Sequence, residues 1–424
     1  MPLNRRTLTM ADVARASAAM FAAPERECVG LELEWPVHRP GDASARPSDA
    51  EVSVLEKCSL PAGGRITFEP GGQVELSTAP AGSATAALRA AEVDSRALHA
   101  HLAAAGFVCA TLALDARRPP RRILDRARYE AMELFFAAQG PAGAWMMCNT
   151  ASTQVNISHC SADPRRRWHT MHLIAPALIA AFANSPGTDA DGRRWASLRQ
   201  AIWWSIDARR TRPVRLDLAP ELAWMDYALA ADVMFINAEG SHGTSATAVR
   251  PGLPFLQWMT SGHAAGWPTI EDYRSHLSTL FPPVRPRGWL ELRILDALPG
   301  WIRDAAVLTV AAACNVDASR ELSGRMPDTS GLWVAAARDA LSHPVLGEAA
   351  RVLFAVVADH LGSVTAESRH AALIEEYVTH YVHRGLTPGG QAAGGPRGFN
   401  EDPVARISPV AVSACAAGHP SPPW

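Results

Sequence analysis

Four short stretches of this chain alternate with period two, and their polar positions carry carboxylates, amides and hydroxyls. They are Cys28–Trp35 (CVGLELEW), Arg65–Thr78 (RITFEPGGQVELST), Met146–Ser158 (MMCNTASTQVNIS) and Trp289–Ile294 (WLELRI). In an extended strand, residues i and i+2 share a face. Glu32 and Glu34 therefore project together, as do Thr67 with Glu69, and Gln73 with Glu75 and Ser77. Ser152, Gln154, Asn156 and Ser158 align opposite Val155 and Ile157, and Glu291 aligns with Arg293 opposite Leu290 and Leu292. Pro70-Gly71-Gly72 divides the second stretch into a hairpin. The expected fold is α+β, an antiparallel sheet with helices packed on its apolar face and a polar face opposite.

That polar face would gather Glu32, Glu34, Glu69, Glu75 and Glu291. Carboxylates brought this close repel and shift one another's pKa values unless cations neutralise them. Arginine or a metal could do so, and an oxygen-only donor set suits Mg²⁺ or Mn²⁺ rather than Zn²⁺. Alternation is also what a solvated outer sheet face shows, so the residues by themselves leave both readings open.

Between the strands, apolar spacing with flanking Gly and Pro predicts helices over 8–23, 84–105, 122–139, 165–183, 194–209, 269–280, 301–314, 331–341, 345–360 and 366–384. No linker divides this region, so 1–385 reads as one catalytic domain, with a loose Gly/Pro/Ala-rich tail over 386–424.

The 424 residues carry a net charge of −2, which gives no electrostatic footprint for nucleic acid or an anionic membrane. No apolar run reaches transmembrane length, and Asp12 and Arg15 interrupt any leader-like core. The seven cysteines are scattered without a C-x-x-C pair, which points to reduced thiols in a cytoplasmic protein. Cys148 falls in the third alternating stretch, on the side of Gln154 and Asn156, and is read as a small buried residue rather than a nucleophile. The pairs His169/His172 and His380/His383 read as helix-surface or capping residues. Lys57 is the only lysine and follows Glu56, so a Walker A loop is impossible. A nucleotide, if used, would be held through metals and arginines.

The motifs GLELEW (30–35), TFEPGGQVELST (67–78), RYEAMELFF (128–136), MMCNTASTQVNI (146–157), ANSP (183–186), HLSTLFP (276–282) and PRGWLELRILDALP (286–299) resemble the plant-type glutamate–cysteine ligases, nearest the actinobacterial branch that serves ergothioneine synthesis. The resemblance implies a glutamine-synthetase-like fold related to the guanidino kinases. It implies ATP- and Mg²⁺-dependent joining of glutamate to cysteine through γ-glutamyl phosphate. Carried over by motif, Glu32, Glu34, Glu75 and Glu291 are metal ligands, and Arg293 and Glu69 act at the reacting groups. Gln154, Asn156, Arg293 and Gln73 would line the nucleotide. Arg199, Arg210, Arg212 and Tyr227 are candidate substrate contacts, though the three arginines also fit as surface ion-pair partners. One departure stands out: where the family pattern is Y-A-L-D-A-P-V-M, residues 227–234 read YALAADVM. A different acceptor amine, an inactive homologue acting as a binding subunit, and a guanidino-kinase-like transfer are the alternatives. No residue pattern sets an oligomeric state.

Overall fold

The computed structural model of the protein describes residues 7–237 and 245–391. Its centre is a six-stranded sheet built from Val29–Trp35 (β1), Arg65–Phe68 (β2), Val74–Ser77 (β3), Ser152–Ser158 (β4), Val284–Pro286 (β5) and Trp289–Asp296 (β6), in the order β5-β6-β4-β1-β3-β2. Every pairing is antiparallel. Leu31, Leu33, Val155, Ile157, Leu290 and Leu292 are buried on the apolar face. Helices Ala84–Ala104 (α1), Arg166–Ala181 (α4) and Gly300–Ala313 (α7) pack against the sheet, and Pro344–His360 (α8) packs outside α4 and α7. Ala127–Ala137 (α2), Ala142–Asn149 (α3) and Leu198–Ser205 (α5) share a second apolar cluster, whereas Pro220–Ala230 (α6) packs on the helix Met10–Ala19 and joins the main core.

Two expectations need correction. The third alternating stretch is a strand only from Ser152, because residues 142–149 form α3. Asn149 ends that helix by donating its side-chain amide to the carbonyls of Asp115 (2.7 Å) and Arg118 (2.8 Å). Cys148 therefore sits on a helix, off the sheet's polar face, and burial pushes its thiol up to about 12. The expected helix over 194–209 is broken into the short strand Arg194–Trp195 and two helices. Past residue 385, the described chain continues to residue 391. Thr387 is buried, and the Gly389 amide donates to the Ala183 carbonyl at 3.1 Å. Most of the expected tail, from 392 onward, lies outside the described residues.

Two local features set the site's geometry. In the β2–β3 turn, Gly71 abuts the end of α3, where an added Cβ would lie 2.2 Å from the Cys148 carbonyl oxygen. Gly72 adopts φ +88°, a conformation that costs other residues about 1–2 kcal/mol. In β6 the register against β4 shifts between Leu292 and Leu295, so that Arg293 and Ile294 together stand opposite Gln154.

Candidate active site

The cross-strand register brings the polar positions into rows. Glu32 lies between Gln154 and Ser77, Glu34 opposite Glu75, and Glu291 opposite Asn156. Carboxylate oxygens of Glu34, Glu69 and Glu75 all fall within 4.8 Å of one another. Thr67 and Ser77 donate to Glu75 at 2.7 and 3.0 Å, and Ser152 and Gln154 donate to Glu34 at 2.8 and 2.9 Å. Asn156 donates to Glu32 at 3.0 Å.

Burial raises all four acids, and like charge adds to it for three. Glu69 is pushed well above the ordinary carboxylate range by burial, then by Glu34 and Glu75. Burial, Glu291 and Glu75 push Glu32 to about 7. Glu34 and Glu75 are raised mainly by burial, with Glu34 repelling Glu75. A divalent cation would relieve both the burial cost and the repulsion, and an all-carboxylate set is the donor chemistry Mg²⁺ and Mn²⁺ prefer. The residues present fit such an ion.

Glu291 stands apart from this group. It is fully buried and accepts from Arg285 (2.6 Å) and Arg287 (2.9 Å), with Arg293 at 3.4 Å. Burial opposes its charge, but the three guanidinium groups prevail and hold it near 2. Arg293 also donates to the Gln154 side-chain carbonyl at 2.6 Å, while its buried Nε has no partner.

A cleft beside Arg293 is lined by Gln200, Trp203, Trp204, Phe281 and Trp333. Trp203 lies within reach of two guanidinium groups, with Arg199 5.6 Å and Arg293 5.9 Å from its ring centre. Arg199 donates to the Arg293 backbone carbonyl at 3.1 Å, and its Nε and Nη1 are buried without a hydrogen-bond partner, as is Trp203 Nε1. Unpaired buried donors are costly and need an acceptor.

The other expected substrate contacts fare differently. Arg210 is completely buried, and its three nitrogens already donate to Asp207, to Thr279 and to the Asp232 carbonyl. These bonds brace the loop. Arg212 lies 3.8 Å over the Trp204 ring, on the flank of the cleft. Tyr227 stacks on Trp224, and its hydroxyl is buried without a partner. The departure at 230–232 is accommodated, because Asp232 accepts from the Gly252 amide (2.7 Å) and from Arg209 (3.1 Å). Gln73 turns from the polar row and donates to the carbonyls of Met147 (3.3 Å) and Thr150 (2.9 Å). It closes the C-terminal end of α3 and so braces the hairpin against α3, while its side-chain oxygen is buried without a partner.

Some residues escaped the sequence reading. Arg285 and Arg287 precede the alternating run, and only the turn between β5 and β6 aims them at Glu291. Arg128 of α2 donates to the Ser278 carbonyl at 2.9 Å, keeps a buried unpartnered Nε, and feels the charge of Glu69. Both Arg128 and Arg287 lie inside motifs quoted above, but apolar periodicity does not single them out.

Comparison with known proteins now decides the family. The model of glutamate–cysteine ligase family 2 matches residues 28–388. This chain belongs to that family. Among curated members, it is 38% identical over 354 residues to the glutamate–cysteine ligase EgtA of Mycolicibacterium smegmatis, covering 80% of this chain and 82% of that one. The EgtA of Mycobacterium tuberculosis is 38% identical over 346 residues, covering 78% of each chain. The chloroplastic glutamate–cysteine ligase of Brassica juncea is 29% identical over 291 residues, covering 66% of this chain and 55% of that one. A solved glutamate–cysteine ligase from Francisella tularensis in complex with AMP shares the fold, with TM-score 0.51, 12% identity, and coverage of 89% of this chain and 86% of that one. Among the described residues of this family member, no helix is long and apolar enough to cross a membrane.

Proposed function

We propose that this chain forms γ-glutamylcysteine, joining the γ-carboxylate of glutamate to the amine of cysteine with conversion of ATP to ADP and phosphate. One observation supports it above the others. The unpartnered donors of Arg293 and Trp203 line a cleft beside the recessed Glu34–Glu69–Glu75 cluster, and the Arg199 guanidinium, with buried unpartnered donors of its own, lies 5.6 Å from the Trp203 ring centre. Such a pairing suits a reaction that brings a carboxylate and a polyphosphate together.

Glu34, Glu69 and Glu75, with Glu32 beside them, would hold Mg²⁺ or Mn²⁺, which when bound supplies neutralisation of phosphate charge. Arg199 would receive a carboxylate of glutamate against the Trp203 ring. Arg293, fixed by Gln154, would stabilise charge on the transferring phosphoryl group. Asn156, whose side-chain oxygen is buried without a partner, would face the nucleotide. A γ-carboxylate oxygen attacks the γ-phosphorus as its bond to ADP breaks, giving γ-glutamyl phosphate. The cysteine nitrogen then attacks the acyl carbon, the bond to phosphate breaks, and the nitrogen loses a proton. The product suits low-molecular-weight thiol synthesis such as that of ergothioneine, in a cytoplasmic enzyme acting on small molecules.

Mass spectrometry of products from the purified chain, omitting glutamate, cysteine, ATP or Mg²⁺ in turn, tests this. A γ-glutamylcysteine peak that needs all four, with matching ADP, is expected. ADP without that dipeptide would point to another acceptor amine, and no nucleotide turnover would overturn the activity.

A further inference from the structure

Asp296 ends β6 and is buried at 2% exposure. Its carboxylate accepts from the Asn184 amide (2.7 Å) and the Ser185 hydroxyl (2.8 Å) of the turn after α4. It also accepts from the Ser197 hydroxyl (2.9 Å), the residue whose side chain caps α5 through the Gln200 amide. Arg199 Nη1 lies 3.7 Å away. One carboxylate thus ties the end of β6, the Asn184–Ser185 turn and the start of α5, the helix that carries Arg199, Gln200, Trp203 and Trp204. The register shift in β6 makes this reach possible. Asp296 is paired with Ser152, whose hydroxyl serves Glu34, so it lies on the polar side with Glu291 and Arg293. An unbroken strand would place residue 296 on the face opposite residue 293. Two further links run from α5 to β6 beside Arg293, Arg199 to the Arg293 carbonyl and Gln200 to the Ile294 carbonyl.

Arg199 is buried, and its nearest counter-charges are Asp296 and Glu34. Glu34 belongs to the acidic cluster. Without the Asp296 charge, Glu34 would be left as the main counter-charge and would pull this guanidinium toward the acidic cluster.

We propose that Asp296 is a positioning residue that holds Arg199 and the Trp203 wall of the cleft against Arg293, and so sets the affinity for glutamate. This rests on the reading that Arg199 receives a glutamate carboxylate. The test compares Asp296→Asn, Arg199→Met and the double variant of the full chain, assayed with glutamate, cysteine, ATP and Mg²⁺. Asp296→Asn is expected to raise KM for glutamate about 10-fold or more, with kcat within about 3-fold and KM for ATP unchanged. The double variant should fall well short of the product of the two single effects, because both changes act on the Arg199 guanidinium. Single effects that multiply in the double variant would overturn the proposal. If Arg199→Met raises KM for glutamate and Asp296→Asn does not, the proposal falls while the reading of Arg199 stands. If Arg199→Met leaves that KM unchanged, the reading of Arg199 falls and the proposal with it. Should Asp296→Asn fail to fold, Ser197→Ala removes the α5 donor to the carboxylate together with the α5 cap and leaves Asp296 in place. A rise in KM for glutamate of about 3-fold is then expected, and an unchanged KM overturns the proposal.

Discussion

Gln154 stands between Arg293 and Glu34, accepting from the guanidinium at 2.6 Å and donating to the carboxylate at 2.9 Å. The amide transmits orientation from the acidic cluster to the arginine without letting the two charges collapse onto each other. Gln154→Leu should leave Arg293 and Glu34 free to pair directly. Turnover is expected to fall about 10- to 100-fold with the fold intact, read by steady-state kinetics beside a thermal melt.

Glu75 offers a sharper separation of function from stability. It faces Glu34 across paired strands and is raised by burial and by Glu34's charge. Glu75→Gln should lower kcat by at least about 100-fold while leaving the metal-free melting temperature equal or higher, since a repulsion is removed. A variant that keeps wild-type turnover would remove Glu75 from the metal set.

The pH dependence of stability carries two opposed contributions. Glu32 is raised to about 7, so its contribution is full below the unfolded value near 4.5 and is lost as pH rises through 7. Burial lowers His276 to about 3 and His172 to about 4, so their contributions grow as pH rises toward 6.5. In chelator, Glu32→Gln should therefore gain stability with pH more steeply than wild type between 4.5 and 7, by on the order of 1 kcal/mol. Urea denaturation at stepped pH measures it, and parallel curves would refute the assignment.

Arg285 and Glu291 make a buried pair at 2.6 Å. Arg285→Met leaves Glu291 with less compensation and should cost about 3 kcal/mol of stability, whereas Arg285→Met with Glu291→Met should cost less than the single change. Denaturant unfolding of the two variants decides it.

Cys148→Ala should keep near wild-type turnover and lose about 1 kcal/mol, because the thiol is buried on α3 and pushed to about 12. Loss of turnover with a normal melt would give the thiol a role in chemistry.

The strands and their polar faces were legible because period two is a local property of the chain. Glu32, Glu34, Gln154 and Arg293 needed only parity to be placed on one face. Glu69 was harder, since it lies in the turn and joins the cluster through the hairpin's closure on Gln73. Residues 146–149 misled because Met-Met-Cys-Asn continues the apolar pattern of Trp145 backward into a helix as readily as it continues a strand forward. Arg285, Arg287 and Arg128 could not be found from spacing, because each reaches the site from a segment whose direction only tertiary packing fixes. Arg210 showed the converse. An arginine beside a motif can be consumed by its own neighbourhood, here Asp207, Thr279 and the Asp232 carbonyl.

The extra residue in β6 makes that strand intolerant of changes in length. Deleting Leu292 would let pairing run evenly with Asp296 still opposite Ser152, and would turn the guanidinium at 293 toward the aliphatic layer beneath α4, where a charge is costly. A lesion that looks like a loss of activity would then become a loss of folding. Gene copies drifting out of use should accumulate substitutions in the cleft long before they tolerate an insertion or deletion here, so the spacing from Glu291 to Asp296 is a ruler by which working copies can be told from decaying ones.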